Sequence, residues 1–148
     1  IAKETNAKVV GVDISDDALA IATQNVEANG VGELVELKKS NMFENVDGKY
    51  DIIISNPPYI PSKDIETLDV EVKNFEPHIA LDGGVDGLEF YKIIAQQSPK
   101  FLKENGSVVL ECGITQAQAI VHLFEEQFDC SIKKDLQGVD RIFIGTLK

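Results

Sequence analysis

Short apolar runs alternate with stretches of helical periodicity along the chain. The runs predict strands at residues 9–13, 34–37, 50–55, 107–112, 131–135 and 141–147. The periodic stretches predict helices at residues 16–29, 88–97 and 116–127, the first capped by Ser15 and stopped by Gly30. Alternation of strands and helices favours an α/β fold with a mostly parallel sheet.

Three stretches of this pattern carry more specific expectations. The continuous apolar run at residues 50–55 predicts a central strand covered on both faces. Ser98 and Pro99 predict a helical turn that ends near Gly106, and the last two strands, joined through Gln137 and Gly138, are expected to be antiparallel neighbours. The segment 56–87 contains four of the five prolines and little periodicity, which is typical of a functional or disordered loop.

Length and charge narrow the class of protein. The 148 residues suit one domain, and no apolar run approaches the roughly 20 residues of a membrane-spanning helix. Lys and Arg number 14 against 25 Asp and Glu, a net charge of −11, which argues against binding nucleic acid through its phosphates. The two cysteines lack metal-ligand spacing, so no metal site is predicted and a cytosolic setting is expected.

The tetrapeptide Asn56-Pro57-Pro58-Tyr59 follows the most apolar run, at the strand end where ligands bind in parallel sheets. Two prolines remove two backbone donors but keep their carbonyls, so the turn becomes a rigid rim rich in acceptors. Asn56 and the Pro57 carbonyl then suit a planar amino group whose two N–H bonds both need acceptors, and Tyr59 can lie against its plane. The alternative is a structural turn after an edge strand.

Asp13 ends the first predicted strand. An acid in this position matches one that hydrogen-bonds the ribose hydroxyls of nucleotide-type cofactors. The alternative is an Asp that only helps to start the following helix together with Ile14 and Ser15.

Several motifs together resemble the HemK/PrmC family, the protein-glutamine N5-methyltransferases that modify peptide-chain release factors. The resemblance covers essentially the whole chain, from VVGVDIS through SNMF, YDIIISNPPYIP and FEPHIALDGGVDGLEFY to LKENGSVVLECG and KKDLQGVDRIFIG. NPPY alone is shared with several amino-group methyltransferases. NPPYIP followed by the EPHIALDGGVDGL segment is what singles out this family.

The resemblance implies a class I, Rossmann-like methyltransferase fold with an antiparallel last strand, and S-adenosylmethionine as the methyl donor. It implies a cofactor set of Asp13, Ile14, Asn41, Met42 and Asn56. It also implies a glutamine-binding set of Asn56, Pro57, Pro58 and Tyr59, of which Asn56, Pro57 and Tyr59 form the catalytic group. Related proteins often carry Asp and an aromatic residue where this chain has Asn41 and Met42.

Other family positions are expected to order the structure rather than react. We expect Glu76 and Asp86 to order a loop over the substrate. Glu111, at a strand end, is expected to cap the chain or to support neighbouring site residues; the alternative is that it lines the cleft. Asp140 and Arg141 are expected to steady the final hairpin by ion pairing. We expect both histidines to be non-catalytic; they are His78 and His122.

The glycine-rich cofactor turn that follows the family's first strand is not found in this sequence. Because the chain begins at Ile1 and its only methionine is Met42, we expect residues upstream. The expectation is therefore one methyltransferase domain, residues 1–148, that is incomplete at its N-terminus. Its sheet would be interrupted between the strands predicted at residues 9–13 and 50–55.

Three functions remain open at the level of sequence. The first is N5-methylation of the glutamine in the Gly-Gly-Gln motif of release factors, in the cytoplasm and without a membrane. The second is amino-methylation of a nucleic-acid base, which the net charge of −11 disfavours. The third is a non-catalytic interaction domain that keeps only the substrate pocket.

Overall fold

A computed structural model describes residues 1–68 and 77–148. The α-helices of these residues are α1 (Ala2–Thr5), α2 (Asp16–Asn29), α3 (His78–Leu81), α4 (Glu89–Gln97) and α5 (Ala117–Phe124). The strands are β1 (Val9–Asp13), β2 (Val35–Lys39), β3 (Tyr50–Ser55), β4 (Leu102–Glu111), β5 (Phe128–Lys134) and β6 (Asp140–Leu147). Two 3-10 helices, Ser62–Thr67 and Ser98–Lys100, complete the set. The chain divides into unit 1, residues 1–47, and unit 2, residues 48–148.

Unit 1 is a strand, helix, strand arrangement. β1 and β2 are parallel, with Val9 opposite Val35 and Asp13 opposite Lys39. α2 connects them and begins as predicted, because the Ala18 N–H donates to Ser15 Oγ at 3.2 Å. It ends at Gly30, whose φ of 65° suits glycine. Both predicted ends of this helix are confirmed.

Unit 2 is a four-stranded sheet with the order β3-β4-β6-β5. β3 and β4 are parallel, whereas β6 is antiparallel to both β4 and β5, which confirms the predicted closing hairpin. Its core contains an aromatic cluster in which the Phe124 ring lies 5.3 Å from Phe128 and 4.6 Å from Phe143. Tyr91 of α4 is also fully buried. Packed aromatic side chains therefore hold α5 against β5 and β6, in addition to the hydrogen bonds between these two strands.

The prediction that residues 50–55 form a central, fully covered strand is wrong. β3 is the edge strand of its sheet, and the side chains of Ile52 and Ile54 are each 55% exposed. An apolar run indicates that a strand can be buried but does not determine what covers it. Among the described residues, β1 and β2 form one sheet, and β3, β4, β6 and β5 form another.

The prediction of a helical turn up to Gly106 is also wrong in extent. A 3-10 helix covers only Ser98–Lys100, and β4 already begins at Leu102. Leu102 pairs with Tyr50 and Ser107 with Ile52, so β4 carries extra residues between these pairs. Asn105, with φ of 58°, lies within this irregularity. The chain therefore turns inside the strand rather than before it.

The final hairpin contains the ion pairs expected of Asp140 and Arg141, although these two residues do not pair with each other. Arg141 Nε lies 3.7 Å from Asp135 Oδ2, and Asp140 Oδ1 lies 3.7 Å from Lys134 Nζ. Neighbouring residues on a strand point to opposite faces, so each finds its partner across the hairpin. No helix among residues 1–68 and 77–148 is long and apolar enough to span a bilayer.

Candidate active site

The acceptor rim, residues 56–59, lies directly after β3. Pro57 is buried, Pro58 and Tyr59 are half-buried, and Asn56 is exposed. The side-chain amide of Asn56 makes no hydrogen bond to any residue in the described part of the chain. Its oxygen and its NH₂ group are therefore both available to a ligand.

The segment that follows α3 packs against the backbone of this rim. The Ile60 N–H donates to the Leu81 carbonyl at 3.1 Å, and the Gly83 N–H donates to the Ile60 carbonyl at 2.9 Å. A Cβ on Gly83 would lie 2.8 Å from Tyr59 Cα and 2.9 Å from the Pro58 oxygen. Only glycine allows so close an approach, so the glycines of the ALDGG motif bring a second backbone against the rim.

Two carboxylates fix the shape of that segment. Asp82 accepts hydrogen bonds from Ser62 Oγ at 2.7 Å and from the Gly84 N–H at 2.9 Å, and these bonds lower its pKa. Asp86 accepts from Lys92 Nζ at 2.6 Å and from the Leu88 N–H at 3.0 Å, which lowers its pKa in the same way. These contacts agree with the ordering role expected of Asp86.

Glu76, for which the same role is expected, lies outside the described residues. A cavity of about 640 Å³ opens beside the ordered segment, lined in part by His78, Ile79, Asp82 and Val85. None of the site residues predicted from sequence lines this cavity. His78 Nδ1 lies 3.8 Å from Asp82 Oδ2, and His122 Nδ1 lies 2.8 Å from Glu125 Oε1.

Gln116 is not among the residues predicted from sequence, yet it contacts the rim directly. Its side-chain Nε2 donates to the Tyr59 carbonyl at 3.0 Å and to the Gly87 carbonyl at 3.1 Å. The contact joins residues 57 positions apart in the chain, so no local periodicity reveals it. The only sequence signal is its place just before α5, in a glycine-containing loop that follows β4.

The two carboxylate oxygens of Asp13, at the end of β1, differ in their contacts. Its Oδ1 accepts the Ser15 N–H at 2.8 Å and so helps to start α2. Its Oδ2 makes no hydrogen bond within the described residues, so one carboxylate oxygen remains free to accept from a hydroxyl. The adjacent Ile14 is 45% exposed.

The turn that follows β2 presents Asn41 and Met42 beside Asp13. The Ser40 N–H donates to the Asp13 carbonyl at 3.0 Å. Ser40 itself is buried, and its Oγ donates to the Met42 carbonyl and accepts the Asn45 N–H, both at 2.9 Å. Met42 has φ of 51°, an uncommon value for a residue with a side chain, and the Ser40 contacts hold it there.

The residues predicted from sequence thus form two groups. Asp13, Ile14, Asn41 and Met42 lie in unit 1, at the carboxyl ends of two parallel strands. Asn56, Pro57, Pro58 and Tyr59 lie together in unit 2. In each group one side-chain oxygen, Oδ2 of Asp13 or Oδ1 of Asn56, has no hydrogen-bond partner among residues 1–68 and 77–148.

Comparison with known proteins identifies the family. The profile of the family "Methyltransferase small domain" matches residues 1–75. The chain belongs to this methyltransferase family. The release factor glutamine methyltransferase of Geobacter sulfurreducens is 41% identical over 145 residues, which are 96% of this chain and 50% of the relative. That of Agrobacterium fabrum is 44% identical over 138 residues, which are 92% of this chain and 48% of the relative.

These relatives confirm the family resemblance found in the sequence. The chain spans about half the length of the curated relatives that it matches. A crystal structure of a methyltransferase from Pyrococcus furiosus superposes with a TM-score of 0.72 at 20% identity, covering 98% of this chain and 66% of that one. The predicted class I methyltransferase fold is thereby confirmed.

Proposed function

We propose that this protein transfers a methyl group from S-adenosylmethionine to the side-chain amide nitrogen of a glutamine, in the Gly-Gly-Gln motif of peptide-chain release factors. The observation that carries the proposal is the rim after β3, where the Asn56 amide has no hydrogen-bond partner in the described part of the chain. The names of the relatives at 41% and 44% identity support the choice of substrate.

The rim matches the hydrogen-bonding needs of a primary amide. The glutamine NH₂ group has two N–H donors, for which Asn56 Oδ1 and the Pro57 carbonyl are the proposed acceptors. Pro57 and Pro58 have no N–H of their own, so no backbone donor of theirs competes for those acceptors. Pro58 shapes the pocket, and Tyr59 packs on the plane of the amide.

The residues of unit 1 fit the nucleoside part of the cofactor. The free Oδ2 of Asp13 can accept hydrogen bonds from ribose hydroxyls, and Ile14 offers an exposed apolar surface beside it. Asn41 and Met42, held by Ser40, would border the adenine. We propose that Asn56 also contacts the cofactor. When bound, S-adenosylmethionine supplies an electrophilic methyl group on a positively charged sulfur.

The chain's part in the reaction is to position the amide and exclude water. An amide nitrogen is a weak nucleophile because its lone pair is delocalised into the carbonyl. Acceptors on both N–H bonds orient this nitrogen and favour its pyramidalisation, and alignment of the reactants is worth roughly 7–11 kcal/mol of a barrier. Transfer to the neutral nitrogen would leave a cationic amide, which is strongly acidic. It releases one proton to bulk solvent to give the neutral N-methyl amide, and this acidity is why no strong base is required.

Neither histidine has a role in the proposed reaction, and each lies beside a carboxylate. His78 lies near Asp82, and His122 lies near Glu125.

We propose that residues 1–148 belong to one catalytic domain of a cytoplasmic enzyme. Release factors are its proposed partners, and with a net charge of −11 we do not expect it to bind nucleic acid through the phosphates.

A methyl-transfer assay distinguishes this function from its rivals. The complete gene product would be offered S-adenosylmethionine with a release factor, with the same factor carrying Asn for the Gly-Gly-Gln glutamine, and with undermethylated nucleic acid. We expect the mass of one CH₂ group on that glutamine alone. Transfer to nucleic acid would support base methylation instead. No transfer to any substrate would support a non-catalytic interaction domain.

A further inference from the structure

We propose that Gln116 is a positioning residue that fixes the acceptor rim by holding the peptide carbonyl of Tyr59. This inference rests on the proposed function, because it assigns a role to a residue that acts through the amide-binding rim. It goes beyond that function by naming a side chain outside the Asn-Pro-Pro-Tyr motif on which turnover depends.

Three hydrogen bonds use nearly the full capacity of the Gln116 carboxamide. Nε2 donates to the Tyr59 carbonyl at 3.0 Å and to the Gly87 carbonyl at 3.1 Å. Oε1 accepts the Gly113 N–H at 3.2 Å. One side chain therefore joins the rim, the segment before α4 and the loop after β4, and each bond goes to backbone.

The glycines around Gln116 show how closely these three segments approach. A Cβ on Gly87 would collide with the Tyr59 oxygen and would lie 2.7 Å from Gln116 Nε2. A Cβ on Gly113 would lie 2.6 Å from Gln116 Oε1 and 3.3 Å from Cδ2 of the Tyr59 ring. The carboxamide thus occupies a space that only glycines leave open, which fits a specific placement of this side chain.

The position of Tyr59 matters because the rest of the rim is already stiff. Pro57 and Pro58 have fixed φ, and Ser55 is paired with Leu110 across the sheet. The direction of the Asn56 amide and of the Pro57 carbonyl then depends on where the chain is held at its far end. Backbone hydrogen bonds hold the next residue, Ile60, and Gln116 is the side chain that fixes the Tyr59 carbonyl itself. Misplacement by about 1 Å can cost roughly a hundredfold in rate.

No other side chain of this size reproduces the contacts. Glutamate keeps an acceptor for Gly113 but replaces the donor with an oxygen that faces two carbonyls. Leucine keeps much of the shape but removes the donor and the acceptor together. We therefore expect both substitutions to release the Tyr59 carbonyl, by different means.

The test compares Gln116→Leu and Gln116→Glu with Gln118→Leu, in the complete gene product. Gln118 is an exposed glutamine of α5, two residues away, and its side chain makes no hydrogen bond within the described residues. We expect kcat on the release factor to fall about tenfold to a hundredfold in both Gln116 variants. The Kd for S-adenosylmethionine should change by less than about twofold, and Gln118→Leu should match the wild type.

A second readout does not depend on turnover. In ¹⁵N spectra the side-chain amide resonances of Asn56 should shift in the Gln116 variants and remain in place in Gln118→Leu. If Gln116→Leu fails to fold, Gln116→Glu carries both readouts. An unchanged kcat, or an equal loss of cofactor affinity, would overturn the inference. If the wild type does not methylate the glutamine, the proposed function fails, and the Asn56 resonances alone then decide whether Gln116 fixes the rim.

Discussion

The two units of the protein hold their functional groups by different means. In unit 1 only Ala2 and Ser40 are buried, and α2 has no buried residue. Unit 2 contains the fully buried aromatic side chains of the described chain: Tyr91, Phe124, Phe128 and Phe143. Asp13 ends a two-stranded pair with little buried packing, whereas Asn56 follows the edge strand of a sheet whose other strands carry a packed core.

This difference separates local effects from global ones. A substitution in the core of unit 2 should destabilise the sheet that carries the rim. A substitution at a turn of unit 1 should move the residues presented there and leave unit 2 folded. The expectations below test that separation, from the largest effect to the smallest.

Phe143→Ala should be the most destabilising of these changes. The Phe143 ring packs against Phe124 and is fully buried, and removing a buried phenylalanine typically costs about 3–5 kcal/mol. Leu136→Ala is the control, because Leu136 is fully exposed. Denaturant unfolding measures both variants. A decrease of less than about 1 kcal/mol in the free energy of unfolding of Phe143→Ala would show that unit 2 lacks the packed core described above.

Tyr91→Phe should cost about 1–3 kcal/mol in the same measurement. The Tyr91 hydroxyl donates to the Glu111 carbonyl at 2.8 Å, and burial raises the pKa of that hydroxyl, so it stays protonated. Phenylalanine keeps the ring but leaves the Glu111 carbonyl without this donor. Unchanged stability would mean that the bond contributes nothing to the core.

Ser40→Ala tests unit 1, where we expect a local effect on cofactor binding rather than a loss of stability in unit 2. It removes the hydrogen bond that Ser40 Oγ donates to the Met42 carbonyl and the one that it accepts from the Asn45 N–H. A hydrogen bond of this kind is typically worth about 1 kcal/mol. We expect the affinity for S-adenosylmethionine to fall about fivefold, a change of about 1 kcal/mol. Amide exchange of β4 and β6 should be unaffected. Loss of protection in those strands would abolish the separation of the two units.

The smallest effect is expected in acid. The pKa values of Asp82 and Asp86 are lowered in the folded protein by the hydrogen bonds that they accept, so each stabilises the fold above its ordinary pKa. That contribution should disappear as the pH falls below about 4. Asp82→Asn with Asp86→Asn should flatten the dependence, as followed by thermal unfolding between pH 6 and about pH 3. An equally steep profile in the double variant would assign the acid sensitivity elsewhere.

The sequence was sufficient for the features that depend on local chemistry. Alternation of elements placed Asp13 at the end of one strand and Asn56 directly after another, and Ser15 and Gly30 mark the ends of α2. Features that depend on long-range contacts were not accessible in this way. The exposure of Ile52 depends on what lies beside β3, and Gln116 acquires its role only when the fold brings it to Tyr59.

The most direct test compares Asp13→Ala, in the proposed cofactor site, with Asn56→Ala, in the proposed amide-binding rim. Both kcat and the Kd for S-adenosylmethionine are measured for each variant of the complete gene product. Asp13→Ala should raise the Kd for S-adenosylmethionine by about tenfold to a hundredfold and lower kcat at saturation far less. Asn56→Ala should lower kcat on the release factor by about a hundredfold or more and should raise the Kd for S-adenosylmethionine far less. Equal losses of both quantities in Asn56→Ala would make Asn56 chiefly a cofactor ligand and would contradict this account.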